Sequence, residues 1–142
     1  MLRGIPSVIS PEILYALASM GHGDEIVIGD ANFPGCSVNE NCIRADGISG
    51  EQMLEAIVKI MPIDDYDKPC YIMEKVLGDS VETPIWDKYR KIVSPYTNQD
   101  FVYLERDEFY ERAKKAYAVI MTGERAQYAN IILKKGVIRE EE

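Results

Sequence analysis

The side chains best suited to chemistry lie around the one histidine of the sequence. His22 stands in the stretch SMGHGDEIVIGDANFP, residues 19–34, and Asp30 follows a short apolar run in the same stretch. Imidazole titrates near ~6.5, so it can both donate and accept a proton at neutral pH. A carboxylate such as Asp30 can hold a hydroxyl group or orient a proton donor. The pair therefore indicates proton transfer to a polar ligand.

Three further polar residues flank predicted strands. Arg106 comes directly after FVYLE, and Tyr128 and Asn130 flank the start of the last predicted strand. These groups are suited to hydroxyl-rich ligands, because a guanidinium donates hydrogen bonds to hydroxyls, while phenol and amide groups both donate and accept them. Together with His22 and Asp30, they favour an uncharged ligand such as a sugar and acid–base chemistry that needs no cofactor.

Each of these residues also has a purely structural interpretation. His22 follows a predicted helix, where an imidazole can bind the free carbonyls and interact favourably with the helix dipole. Asp30 can cap the turn that follows it. Arg106 can form a surface ion pair with Glu105 or Glu108, and the others can be ordinary turn residues. The residues alone leave both interpretations open.

The elements that position these side chains follow from the hydrophobic pattern. Ser10-Pro11 is a strong helix start, Ser49 and Thr83 begin two more helices, and Asp107 is expected to cap a fourth. Strands are predicted at residues 25–29, 70–76, 101–104, 119–121 and 130–133. Helices that alternate with uninterrupted apolar strands predict one α/β domain over residues 1–142. Its sheet should be mostly parallel or mixed and covered by helices on both faces.

This fold class predicts where a ligand binds. Ligands of open α/β sheets bind beyond the carboxyl ends of the strands, and Asp30 and Arg106 follow two such ends. His22 precedes the first strand, so within one chain it should lie at the opposite end from Asp30. Either the two residues serve different purposes, or a site is assembled between subunits.

Composition argues against two classes of partner. The 142-residue chain has a net charge of −8, whereas phosphate binding needs clustered Lys and Arg, so we expect no nucleic-acid partner. No apolar run reaches the length of a membrane span. The N-terminal stretch MLRGIPSVISPE lacks the apolar core of a signal peptide, so we expect a cytoplasmic protein.

Motif spacing argues against several cofactors. The odd number of cysteines and the absence of CxxC spacing lead us to expect free thiols at Cys36, Cys42 and Cys70. One histidine with scattered acids lacks the spacing of a transition-metal site. No GxSxG occurs, and Gly21-His22-Gly23 precedes a predicted strand, whereas a dinucleotide-binding glycine motif follows one. We therefore predict neither a metal nor an organic cofactor.

Four segments of the sequence resemble the RbsD/FucU family of sugar mutarotases. They are MGHGDEI around His22, DANFP from Asp30, CIRADG at residues 42–47, and FYERAKKAYAVIMTGERAQYANIILKKGV at residues 109–137. The resemblance extends in order and spacing from Ile9 to Val137 and is weaker over residues 64–97. The FYERAxKA segment with its preceding arginine is similar to the L-fucose mutarotase branch of the family.

The resemblance implies an activity and assigns roles to residues. It implies anomer interconversion of a monosaccharide, without a cofactor, with His22 as the catalytic proton donor. Substrate-binding roles fall on Asp30, Arg106, Tyr128, Ala129 and Asn130. It also implies a ring-shaped homodecamer with active sites between neighbouring subunits, which would explain the separation of His22 from Asp30. A ribose-type pyranase acting on another monosaccharide, or a non-catalytic oligomeric sugar-binding protein, remains the alternative.

Overall fold

The computed structural model describes residues 1–142 and contains five helices and six strands. The helices are α1 (Pro11–Ser19), α2 (Gly35–Val38), α3 (Gly50–Ile60), α4 (Pro84–Val93) and α5 (Arg106–Lys115). The strands are β1 (Glu25–Gly29), β2 (Cys42–Ala45), β3 (Cys70–Met73), β4 (Val102–Leu104), β5 (Ala118–Thr122) and β6 (Ile131–Lys134). None of the helices combines the length and the hydrophobicity that crossing a bilayer requires.

Local sequence explains where two of the helices begin. The Ser10 hydroxyl accepts a hydrogen bond from the Ile13 amide at 3.2 Å, and proline occupies the first turn of α1. At α3, the Ser49 hydroxyl accepts from the Gln52 amide while the Gln52 side chain accepts from the Ser49 amide. This reciprocal arrangement satisfies two of the amides that a helix start leaves without partners. Both predicted helix starts are confirmed.

One strand of the sheet runs against all the others. The strand order is β2-β5-β1-β6-β3-β4. β1 pairs in parallel with β5, β5 with β2, and β3 with β4, whereas β6 lies antiparallel between β1 and β3. The carboxyl ends of β1 to β5 therefore meet at one edge of the sheet, and β6 begins at that same edge. The sheet is mixed, within the predicted fold class.

Helices cover both faces of this sheet. One cluster of buried side chains joins α1, α3 and α4 to the face that carries Ile26 and Ile28. A smaller cluster joins α2 and α5 to the other face, which carries Val27 and Val119. Side chains alternate between faces along a strand. A strand covered on both sides must therefore be apolar at its buried positions, as residues 26–29 of the run EIVIG are.

Several details differ from the predictions. The elements α2 and β2 were not predicted, because each has four residues and is too short to show a hydrophobic period. β3 ends at Met73, not Val76. The fourth predicted helix begins at Arg106 after Glu105, so the prediction that Asp107 caps it is wrong. Asp107 instead lies in the first helical turn, where its negative charge interacts favourably with the helix dipole.

The expectation of three free cysteines is also wrong. Cys36 of α2 and Cys42 of β2 form a disulfide, and their Cα atoms are 5.0 Å apart. Only six positions separate them along the chain, but the chain reverses between α2 and β2 and brings them together. Cys70 is free and buried, as expected.

Candidate functional site

One cavity lies at the carboxyl edge of the sheet. Asp30 follows β1, Arg106 follows β4, and Tyr128 and Asn130 precede β6. Because β6 is reversed, its start lies beside the ends of β1 and β3, and these four residues line a single cavity of about 260 Å³. The structure therefore brings together four residues that the sequence indicated from three separate segments.

Asp30 is the buried centre of this cavity and is only 4% exposed. One carboxylate oxygen accepts a hydrogen bond from the Asn32 amide at 3.0 Å, and the other accepts from the Ala129 amide at 3.2 Å. The Asp30 amide donates to the side-chain oxygen of Asn130 at 2.7 Å. These bonds fix the carboxylate between the end of β1 and the start of β6. Asp30 therefore does more than cap its own turn.

Burial changes the acidity of Asp30. Desolvation raises the pKa of this carboxyl above its ordinary value of 3.8, the charge of Glu124 adds to the rise, and backbone hydrogen bonds from Asn32, Ala129 and Phe33 oppose it. A carboxyl with a raised pKa exchanges a proton near neutrality more readily than a solvated one. Asp30 is therefore suited to orienting a hydroxyl and also to sharing its proton.

The segment from Tyr128 to Asn130 is held in an unusual conformation. Tyr128 has a φ of +58°, and it is the only residue other than glycine with a positive φ. The Trp86 indole donates to the Tyr128 carbonyl at 2.8 Å, and the Tyr89 hydroxyl donates to the Ala129 carbonyl at 3.1 Å. Ala129 is fully buried and offers only its backbone. Such conformations persist when the surroundings enforce them, and they concentrate at functional sites.

The Arg106 side chain is available to a ligand. It is 56% exposed, its nearest acidic partner is Asp107 at 3.9 Å, and its guanidinium lies 5.9 Å from the centre of the Tyr110 ring. The alternative ion pairs with Glu105 and Glu108 do not form. A guanidinium without a close carboxylate keeps its donors free for the hydroxyl groups of a ligand.

The cavity wall also contains residues that were not predicted as site residues from the sequence: Asn32, Phe33, Met73, Val76, Asp79, Tyr110 and Gln127. Asn32 lies two positions after Asp30, so its place in the wall follows from the same strand end. Asp79 belongs to no motif and reaches the cavity through the loop after β3. No local signal in the sequence indicates it.

His22 lies at the opposite edge of the sheet. The five residues of β1 separate it from Asp30, and a strand of this length spans about 16 Å. Its Nε2 lies 2.9 Å from a carboxylate oxygen of Asp64, and its ring lies 5.0 Å from that of Tyr66. The predicted separation of His22 from Asp30 within one chain is confirmed. A single chain does not place the imidazole in the cavity.

The surroundings of His22 do not support the helix-capping interpretation. The carbonyls at the end of α1 accept instead from Lys135, whose ammonium lies 2.7 Å from the Leu17 carbonyl oxygen. The ammonium also binds the Met20 carbonyl. The imidazole is 43% exposed, and its Nδ1 has no hydrogen-bond partner in the chain. That nitrogen is therefore accessible to a group outside this chain.

Asp64 orients the imidazole. Its side chain is 2% exposed, and it also accepts hydrogen bonds from the amides of Tyr66 at 3.3 Å and Asp67 at 3.1 Å. Desolvation opposes ionisation of Asp64, but the hydrogen bonds from His22 and from the two amides hold the pKa of Asp64 below its ordinary value. An ionised Asp64 accepts the Nε2 hydrogen and leaves Nδ1 free to exchange a proton.

Other parts of the structure offer weaker candidates. A larger cavity of about 660 Å³ lies between α1 and the edge strand β2, with Tyr15 and Arg44 in its wall. None of the predicted site residues lines it. No three His, Cys, Asp or Glu side chains are grouped so that they could hold a metal ion. The predicted independence from metal and cofactor stays a prediction.

Comparison with known proteins identifies the family. Residues 3–138 match the RbsD / FucU transport protein family. The chain therefore belongs to the RbsD/FucU family, and the resemblance found in its motifs is confirmed.

Individual relatives match over the whole chain. The fucose mutarotase of Mus musculus is 51% identical over 146 residues, which cover 96% of this chain and 95% of that protein. The crystal structure of FucU from Bifidobacterium longum is 50% identical, has a TM-score of 0.93, and covers 96% of this chain and 100% of its own. The fucose mutarotase of Streptococcus pneumoniae, solved in complex with L-fucose, is 46% identical with a TM-score of 0.91 and covers 97% and 100%.

Proposed function

We propose that this protein is a cofactor-independent mutarotase that interconverts the α and β anomers of L-fucose. The observation that carries the proposal is the cavity that gathers Asp30, Arg106, Tyr128 and Asn130 at one sheet edge. These groups are suited to the hydroxyls of an uncharged sugar. Proteins named fucose mutarotase, 51% and 46% identical to this chain over nearly its whole length, support the choice of sugar.

The reaction requires two coupled proton transfers. A pyranose opens when the anomeric hydroxyl loses its proton, the bond from C1 to the ring oxygen breaks, and the ring oxygen gains a proton. The resulting aldehyde rotates about its bond to C2, and the ring closes on the other face of the carbonyl. A single group with a pKa near the working pH can serve both directions, because it gives the proton on opening and takes it back on closure.

The proposal assigns protonation of the ring oxygen to His22 and the binding of the sugar to the cavity. His22 donates to the ring oxygen from Nδ1, while Asp64 holds the opposite nitrogen. The Asp30 carboxylate binds the anomeric hydroxyl, accepts the proton that this hydroxyl loses on opening, and returns it on closure. Arg106, together with the segment from Tyr128 through Ala129 to Asn130, positions the remaining hydroxyls. Aromatic faces at the cavity can stack on the apolar face of the sugar.

Because His22 and Asp30 lie at opposite edges of the sheet, a site that uses both residues needs two subunits. We propose that His22 of a neighbouring subunit completes each cavity, in a cytoplasmic, ring-shaped homodecamer of the kind implied by the family. The exposure of His22 supports this arrangement, because 43% of its side chain is accessible in the isolated chain. Light scattering measures the oligomeric mass, and a fully active monomer would contradict the shared site.

Saturation-transfer NMR on equilibrated L-fucose tests the activity directly. We expect purified protein to accelerate exchange between the two anomers without changing their equilibrium ratio, and we expect the rate to survive prolonged EDTA treatment. Acceleration of D-ribose exchange alone would favour the ribose-type activity. Binding of L-fucose without faster exchange would favour a sugar-binding protein that is not an enzyme.

A further inference from the structure

The loop that follows β3, residues 74–83, forms part of the cavity wall. The Asp79 amide donates to the Val76 carbonyl at 3.0 Å, which closes a turn around Gly78 with its φ of +89°. One carboxylate oxygen of Asp79 accepts from the Val81 amide at 3.0 Å. The Asp79 side chain is therefore fixed by its own loop, and its second oxygen is free to bind elsewhere.

That second oxygen binds the Tyr128 hydroxyl. Tyr128 donates to Asp79 at 2.6 Å and accepts from the Val76 amide at 3.2 Å. A phenol hydroxyl has one hydrogen and two lone pairs. The hydrogen and one lone pair are thus occupied by the loop, and one lone pair is left for a ligand in the cavity that Tyr128 and Asp79 both line.

The acidities of the two groups keep the hydrogen on Tyr128. Hydrogen bonds from Tyr128 and from the Val81 amide hold the pKa of Asp79 below its ordinary value. The same bond to Asp79 raises the pKa of Tyr128, and the positive charge of Arg106 opposes that rise. At neutral pH the pair is therefore a neutral phenol that donates to a carboxylate.

We propose that Asp79 is a positioning residue, which binds the hydrogen of Tyr128 so that the phenol oxygen can only accept a hydrogen bond from the sugar. This inference rests on the function proposed above. The cavity then selects a sugar that presents a hydroxyl hydrogen to Tyr128. A sugar that presents only an acceptor at that point, such as a fluorine in place of the hydroxyl, binds poorly.

The substitution Asp79→Asn tests this inference because it reverses the bond. Asparagine keeps an oxygen for the Val81 amide, so the loop turn is retained, but its amide nitrogen can only donate to the Tyr128 oxygen. The phenol hydrogen is then directed into the cavity. Because hydrogen bonds to charged groups are the stronger ones, we expect kcat/KM for L-fucose anomer exchange to fall about tenfold, chiefly through KM.

A double-mutant cycle shows whether Asp79 acts through Tyr128. In a Tyr128→Phe background the hydroxyl is absent, so Asp79→Asn should cause no further loss. The control is Lys75→Met, which removes the bond from the Lys75 ammonium to the Val81 carbonyl at 3.0 Å and loosens the same loop without touching Tyr128. We expect the control to keep a near wild-type kcat/KM.

Two results would overturn the inference. One is an equal loss from Asp79→Asn in the wild-type and Tyr128→Phe backgrounds. The other is an equal loss from Lys75→Met, since order in the loop would then be the cause.

Failure of the proposed function gives a different pattern, because the wild-type protein itself would not exchange L-fucose. NMR of protein labelled at the tyrosine Cζ carbon then decides the inference without any sugar turnover, with the Tyr128 signal assigned by Tyr128→Phe. Asp79→Asn should lower the pKa of Tyr128, and an unchanged titration would refute the bond.

Discussion

Mixing two defective variants tests whether each site is shared between subunits. His22→Asn removes the imidazole but keeps a polar side chain beside Asp64. Arg106→Met removes a guanidinium that is 56% exposed and has no close acidic partner, so it should leave the fold intact. Each substitution affects one of the two edges of the sheet. A shared site combines those edges from different chains.

The expected magnitudes follow from this geometry. Loss of general acid–base catalysis lowers the exchange rate by about 10²–10⁴-fold in His22→Asn. Loss of a charged hydrogen bond lowers kcat/KM about tenfold or more in Arg106→Met. In an equal, random mixture of the two chains, about one quarter of the shared cavities combine an intact Arg106 with an intact His22. The anomer-exchange rate of the mixture should therefore exceed the mean rate of the two parent variants by several-fold.

The assay uses two affinity tags on co-expressed chains, so that every purified oligomer contains both variants. Exchange is measured by saturation transfer at L-fucose concentrations below saturation, where a loss of binding lowers the rate. Arg125→Met, which removes an exposed arginine outside the cavity wall, is the matched control. A mixture that exchanges anomers at only the parental mean would refute the shared site. A nearly wild-type rate in His22→Asn alone would show that the imidazole is structural.

Three further predictions concern stability. Reduction of the Cys36–Cys42 disulfide, which closes a short loop, should lower the free energy of unfolding in urea by about 2 kcal/mol. A variant with serine at both positions should not respond to reductant. Because the folded pKa of Asp64 is lowered, its ionised form stabilises the fold above the unfolded pKa and the contribution is lost as pH falls through the folded value. Asp64→Asn should therefore destabilise the protein at pH 7, and the difference should disappear in strong acid. Tyr89→Phe leaves the buried Ala129 carbonyl unpaired and should cost about 1–3 kcal/mol in the same unfolding assay.

The strands and their ends could be predicted because each signal is local. EIVIG is apolar at every buried position and is followed at once by Asp30, so both the strand and the polar residue at its end are visible in one stretch. The direction of β6 could not be predicted from the sequence, because its antiparallel pairing joins residues about 100 positions apart, such as Ile28 and Ile131. That direction brings Tyr128 and Asn130 to Asp30.

The remaining errors also have physical causes. The Cys36–Cys42 disulfide forms because the chain reverses between two elements of four residues each. Elements this short show no hydrophobic period, so the reversal could not be predicted. Asp79 reaches the cavity only because the loop after β3 folds back on Tyr128. Strand pairing and loop closure depend on residues that are distant in the sequence. The capping of a helix and the burial of a strand depend on residues within the element or directly beside it.

The reversed strand β6 also fixes the distance between the two parts of the proposed chemistry. At its start, the Asn130 side chain accepts from the Asp30 amide at 2.7 Å. At its end, the Lys134 carbonyl accepts from the Asp64 amide at 3.0 Å, and the Lys135 carbonyl accepts from the Gly23 amide at 2.9 Å. These last two bonds hold Asp64, whose side chain contacts His22, and Gly23, which follows His22 in the chain.

A buried strand cannot shorten, so no small loop movement brings the imidazole to its own cavity. The rigidity that keeps His22 out of the cavity of its own chain would also hold the two parts of a shared site at a constant distance. In the proposed arrangement, each subunit would offer a binding edge and a proton-donating edge at a fixed spacing. A ring in which the proton-donating edge of one subunit meets the binding edge of the next would use both edges of every chain, and one histidine in each chain would then suffice.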